Sequence, residues 1–249
     1  TRTAKTGHAL CCHHPALVRL PPEPIGRRYS LYRGRRPQGP GWRRAKTGNT
    51  RFLVRIPHSS GYRRSPSATE SREVFGVCGA PCVIPRAVFD ELGGFDEDFF
   101  ASHEDVDLSY RARLLGYPCL YVADAVVRHH GSATLGRISP FAVYHGQRNL
   151  EWMYFKNTPA SLLLRTMPGH LVYTAAAAVH FARAGMLAPF LRAKWSALAG
   201  LPRLLRKRAQ VQRTRRVGAD AIWPHLEARW LATKRREKQF DLGLAGDNR

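Results

Sequence analysis

Apolar positions change their spacing several times along the 249 residues. From Val74 to Ile84 the run VFGVCGAPCVI reads as an apolar strand broken by small residues, and Pro118–Val127 (PCLYVADAVV) reads as a second. Between them, Pro85–Leu92 reads as a short helix, and a longer helix opens at His103-Glu104-Asp105. Val106, Leu108, Tyr110, Leu114 and Leu115 give that helix its period, and Gly116 stands where a helix often ends on glycine. The second strand ends at Arg128-His129-His130-Gly131-Ser132, and a further helix starts near Pro140. Strand, helix, loop, helix and strand is α/β alternation, and sheets of that class collect their chemistry in loops at strand ends.

The C-terminal third is patterned differently. Leu162-Leu163-Leu164, Leu171–Ala182 and Met186–Leu191 are apolar helical patches interrupted by Arg165, His170, His180, Arg183, Arg192 and Lys194. No run reaches the roughly 18–20 apolar residues that a membrane span requires. The stretch Trp195–Arg216 sets aromatic and leucine residues beside a dense cationic cluster. Such a pattern suits a helix lying in the headgroup region of an anionic leaflet. Its alternative is a helix packed on the folded domain with a solvated basic face.

Residues 1–72 carry sixteen Lys and Arg against two acids, Glu23 and Glu70, with Pro, Gly and Ser scattered among them. That composition cannot bury a core, so the segment is expected to be disordered or to lie outside an evolved fold. Four regions follow from the pattern: 1–72, a folded domain over 73–158, basic helices over 159–216, and a polar helix or tail over 217–249.

Charge sharpens the picture. The chain carries a formal +22, yet Glu91, Asp96, Glu97, Asp98, Glu104, Asp105 and Asp107 cluster within seventeen positions. Such a cluster is costly unless something cationic or hydroxylic sits in it. Gly93-Gly94 offers a tight turn, Phe95, Phe99 and Phe100 anchor the loop, and the acids at the next helix start are favoured by its macrodipole. Asp107 is expected to cap or solvate that helix. Cys11-Cys12-His13-His14 lacks the ligand spacing that lets a loop wrap around zinc, and Cys78, Cys82 and Cys119 read as small buried hydrophobes. Nothing suggests a disulfide framework, and the N-terminus has no apolar signal region, which together point to a reducing cytoplasm.

The ordered elements CGA (Cys78–Ala80), GGFDEDFF (Gly93–Phe100), EDVDLSYRARLLGY (Glu104–Tyr117), HHGSAT (His129–Thr134) and YHGQRN (Tyr144–Asn149) resemble the C-terminal half of a family 2 glycosyltransferase. Among those enzymes they are most similar to the rhamnosyltransferase-like ones that extend bacterial cell-surface polysaccharides. The resemblance covers roughly Glu73–Arg216. It implies an α/β fold: an incomplete GT-A-like half, followed here by basic amphipathic helices. It also implies inverting transfer of a sugar from a nucleotide-sugar donor to a saccharide or polyprenyl-linked acceptor, with a divalent metal (Mg²⁺ or Mn²⁺) on the diphosphate.

Carried over residue by residue, the resemblance implies Asp105 as general base and Glu104 as a partner for the acceptor sugar. It implies Arg148 at the donor diphosphate and His129 in the metal shell. The family's donor-binding half, with its Asp-x-Asp motif, has no counterpart before Glu73, so a half-domain with doubtful activity alone is expected. The expected location is the cytoplasm, peripheral on the cytoplasmic face of an anionic membrane. Two other classes stay open. One is a nucleic-acid-binding protein, suggested by a pI near 10.8 although no specific nucleic-acid motif is visible; the other is a non-catalytic glycosyltransferase remnant.

Overall fold

A computed structural model describes residues 49–53, 56–60, 72–77, 79, 82–122 and 139–227. The described part is mostly helical. Two strands, β1 (Asn49–Leu53) and β2 (Ile56–Ser60), pair antiparallel, and β1 also pairs in parallel with β5 (Leu226–Glu227). Thus part of the region whose composition argues against a core contributes strands; residues 1–48 lie outside the described residues. The second sheet is a short antiparallel pair of β3 (Arg72–Val74) and β4 (Cys119–Tyr121), with Val74 opposite Cys119.

Of the strand expected over Val74–Ile84, only Val74 lies in β3, and of the strand expected over Pro118–Val127 residues 123–127 lie outside the described residues. In the first run α2 (Glu104–Leu114) takes the place of a neighbouring strand. Arg113 Nε donates to the Phe75 carbonyl at 2.9 Å, Ser109 Oγ accepts from Val77 N at 3.1 Å, and Asp105 Oδ2 accepts from Gly79 N at 2.7 Å. Four helical residues rise about 6.0 Å and two extended residues span about 6.6 Å, so helix positions four apart meet backbone positions two apart. Phe75, Val77 and Gly79 are odd-numbered neighbours on one backbone edge, as this register requires.

The sequence permits this approach through glycine. A Cβ on Gly76 would stand 2.6 Å from Ser109 Cβ and 2.8 Å from its Oγ. Ser109 is itself held, donating to the Asp105 carbonyl at 2.7 Å.

α2 is buried on more than one side, unlike a surface helix. Val106, Tyr110 and Leu114 join a core containing Phe75, Phe99, Leu150 and Met153. Leu108 and Ala112 face a second cluster, with Leu92 and the flanking Phe89 and Phe95 from the segment around α1 (Arg86–Glu91). The helix stops where Gly116 turns to φ 88°, returning Tyr117 N to the Ala112 carbonyl at 3.0 Å.

Helix α3 (Pro140–Asn157) is the central strut. Ser139 Oγ caps it by accepting from Ala142 N at 3.1 Å, and Pro140 occupies the first turn, where no amide hydrogen is needed. Against it pack α2, α5 (Leu187–Ala199) and α6 (Leu201–Thr214), while α4 (Ala160–Arg183) packs on α5. Glu151 of α3 ties three helices together. It meets His170 Nε2 of α4 at 2.7 Å and accepts from Lys194 of α5. The short α7 (Ala219–Ile222) closes the main core through Ile222.

Gly76→Ala should lower stability by about 1–3 kcal/mol, because the new methyl must displace Ser109 and with it the hold on Asp105. The check is the midpoint of thermal or urea unfolding. An unchanged midpoint would mean that the helix and the extended segment can separate freely.

Candidate active site

The acidic loop begins at Gly93 and Gly94, both with positive φ (75° and 69°). Arg111 of α2 holds this turn, donating from Nη1 to the Leu92 carbonyl at 2.5 Å and from Nη2 to the Gly94 carbonyl at 2.8 Å. Asp96 Oδ1 accepts from Asp98 N at 3.1 Å, which starts the single helical turn Glu97–Phe99. Phe100, Ser102 and His103 then adopt left-handed conformations, with φ of 54°, 69° and 70°. Non-glycine residues pay for such conformations, and structures that keep them hold them from outside.

The holding groups are Asn149 and Arg148, the last two residues of the YHGQRN motif. Asn149, fully buried, places Nδ2 within 2.7–2.8 Å of the carbonyls of Phe99, Ala101 and Ser102. Arg148 Nη2 donates to the Asp98 carbonyl at 2.8 Å, its Nε donates to Asn149 Oδ1 at 2.9 Å, and its guanidinium lies 4.8 Å from the Trp152 ring centre. Arg148, expected at a donor diphosphate, thus already spends one nitrogen on this loop and another on Asn149.

The loop delivers Glu104 and Asp105 to the first turn of α2. Asp105 Oδ2 takes the Gly79 amide and Oδ1 takes its neighbour Val106 N at 2.7 Å. Burial raises the Asp105 carboxyl above its ordinary range, and the backbone hydrogen bonds offset only part of that rise. His103 precedes them, half-buried with its Nδ1 out of solvent. Burial lowers its imidazole to about 4, so the ring is neutral near pH 7, and its Nδ1 has no hydrogen-bond partner.

Asp107 corrects the expectation that it caps or solvates α2. Its side chain has no exposure, and its carboxylate takes Lys156 Nζ at 2.7 Å, Asn157 Nδ2 at 2.7 Å and Arg111 Nε at 2.9 Å. Lys156, only 2% exposed, reaches on to Asp96 Oδ2 at 2.6 Å. Lys207 of α6 bridges Asp96 and Asp98 at 2.5 Å each, and Arg203 also pairs with Asp98. Burial pushes the Asp96 carboxyl up, but Lys156 and Lys207 together overcome it and bring it down to about 2. The cations demanded by the acidic cluster are therefore the chain's own. Lys156, Lys207 and Arg203 lie 60 to 111 residues from Asp96 and could not be assigned from local spacing.

The described residues do not fit a divalent metal. Among them no three His, Cys, Asp or Glu side chains converge, and Asp96, Asp98, Asp105 and Asp107 are each engaged by lysine, arginine or backbone amide. His129, the residue expected in a metal shell, lies outside the described residues.

Residues 58–154 match the family described as "Glycosyltransferase like family 2". Over this segment the chain is similar to the family 2 glycosyltransferase-like proteins. The match contains the extended segment, the acidic loop, α2 and most of α3, which are the parts that position Asp105. The N-acetylglucosaminyl-diphospho-decaprenol L-rhamnosyltransferases of Mycobacterium tuberculosis strains CDC 1551 / Oshkosh and ATCC 25618 / H37Rv are each 35% identical to this chain over 96 residues. That alignment takes in 38% of this chain and 31% of each relative, so the chain spans about a third of the length of the curated relatives it matches. No solved structure matches the chain at comparable strength.

Lys156→Met should destabilise the fold by about 3–5 kcal/mol, since it removes the buried cation shared by Asp107 and Asp96 and leaves Asp107 with Arg111 alone. Adding Asp107→Asn should recover part of that loss, a coupling readable from a double-mutant cycle of urea unfolding. Strictly additive losses would break the assignment of Lys156 to Asp107.

Proposed function

We propose that this chain carries the acceptor side of an inverting sugar transferase, with Asp105 as general base. The observation that carries the reading is the placement of one half-buried carboxylate at the start of α2, fixed by the Gly79 and Val106 amides. Each carboxylate oxygen accepting one amide keeps a second lone pair for an acceptor hydroxyl. Its raised proton affinity brings it nearer to the working pH of a base.

In this reading the acceptor oxygen attacks the anomeric carbon while Asp105 takes its proton. The bond to the nucleoside diphosphate breaks on the opposite face, inverting the centre. Glu104 orients the acceptor through its hydroxyls. Arg148, anchored to the loop through Nη2, would meet the leaving diphosphate with the rest of its guanidinium. Similarity to the mycobacterial relatives makes a rhamnosyl donor and a lipid-linked saccharide acceptor the first pair to try.

The test is transfer of rhamnose from a nucleoside-diphosphate rhamnose by a full-length enzyme carrying this segment. Asp105→Asn should lower turnover by about 10²–10⁴-fold with an unchanged circular dichroism spectrum. Turnover like the parent's would move the base elsewhere, to Glu104 first.

We further propose that the protein works against an anionic membrane surface on the cytoplasmic side. Residues 160–216 hold eleven Lys and Arg and no Asp or Glu. On α5 and α6, Leu191, Trp195, Leu198 and Leu205 are more than half exposed, and they recur at helical spacing beside Arg192 and Arg206. No helix of the described residues is long and apolar enough to cross a membrane. The protein should sediment with phosphatidylglycerol-containing vesicles and be released at 1 M salt, where the Debye length is about 3 Å. Equal binding to neutral vesicles would remove the electrostatic component.

A further inference from the structure

Phe100 is the most exposed aromatic ring of the acidic loop, at 76%, although its neighbour Phe99 is buried in the core. Nothing local explains why a phenylalanine should be fixed outward with φ 54°. The loop is nonetheless held rigidly there, by Asn149 and Arg148 on the carbonyls of residues on both sides of it. The exposed ring meets others from the first turns of α3. Phe100 lies 6.3 Å from Phe141 and 5.6 Å from His145, centre to centre, and Phe141 lies 4.3 Å from His145. Phe141 is itself 39% exposed.

The patch has a polar margin. His145 Nδ1 is buried without a hydrogen-bond partner, and burial together with Arg148 lowers the imidazole's proton affinity. A neutral imidazole offers one donor and one acceptor. A pyranose has the complementary surface: an apolar face of C–H groups bordered by hydroxyls that both donate and accept. The backbone then runs from Phe100 through Ser102 and His103 directly into Glu104 and Asp105.

We propose that Phe100, Phe141 and His145 form a stacking platform for a pyranose ring of the acceptor saccharide, set beside the candidate base. The proposal rests on the transferase reading for the identity of the sugar as acceptor, but the platform itself is a binding site that can be tested alone. A lipid chain fits less well. The patch is small and edged by His145 and Arg148, whereas the extended apolar and cationic surface lies on α5 and α6.

Saturation-transfer NMR on the full chain tests it, with the methyl glycosides of N-acetylglucosamine and rhamnose as probes and farnesyl phosphate as the prenyl control. The glycoside ring protons should receive saturation, and Phe100→Ala should weaken binding by about fivefold while Phe100→Trp retains it. Phe100 is exposed, so the melting midpoint should stay within error and separate binding from folding. Absence of saturation for both glycosides, undiminished binding in both Phe100→Ala and Phe141→Ala, or binding of farnesyl phosphate alone would each overturn the platform. An unchanged acceptor KM in Phe100→Ala, with transfer still dependent on Asp105, would sink the platform and leave the transferase reading intact. Phe100-dependent glycoside binding with turnover indifferent to Asp105 would sink that assignment of the base and leave the platform.

Discussion

The site depends on a helix doing the work of a strand. Asp105, Ser109 and Arg113 stand four apart on α2 and satisfy the backbone of Gly79, Val77 and Phe75, which stand two apart on an extended segment. The near match between four helical rises and two extended ones makes the register self-consistent. It also limits what can occupy the line. Gly76 must lack a side chain, Ser109 must be short, and Asp105 must point its carboxylate at an amide rather than at solvent. The candidate base is therefore fixed by the same contacts that hold the segment to the core.

Around that line, charge is balanced internally. Lys156 joins Asp96 of the loop to Asp107 of α2, and Lys207 and Arg203 bring α6 onto Asp96 and Asp98. Each of these carboxylates would be costly to bury alone, and each lysine likewise. Together they make a loop of strongly acidic composition compatible with a strongly basic chain. The basic helix consequently has two roles for its cations: some close onto the loop, while Arg206 remains on the exposed side with Leu205.

Local elements were well legible in the sequence. The α2 start at Glu104, its end before Gly116, the Gly93-Gly94 turn and the helix beginning at Pro140 all follow from turn, cap and period signals that act over a few residues. The extended run after Val74 was legible as apolar and extended, but its partner was not. Nothing in a strand-like pattern tells whether side chains of a helix will take its hydrogen bonds. Asp107 was misread for a related reason. Its position in a first helical turn is favourable to a solvated acid, and besides the local Arg111 its burial depends on Lys156 and Asn157, some fifty residues later. The cluster's excess of negative charge did announce that cations were needed. It did not say which.

The ion pairs of α6 also bear on the order in which the molecule can be assembled. Asp96 and Lys207 are separated by 111 residues, so during synthesis the acidic loop leaves the ribosome long before its second lysine exists. At about 5–20 residues per second, that interval is on the order of 6–20 seconds. Arg111 can hold the Gly93-Gly94 turn as soon as α2 forms, and Lys156 reaches Asp96 about halfway through the interval, but Asp98 waits for the cations of α6. Completion of the site then coincides with arrival of the helix that carries the exposed leucines, so the nascent chain finishes its loop and its basic surface in the same step.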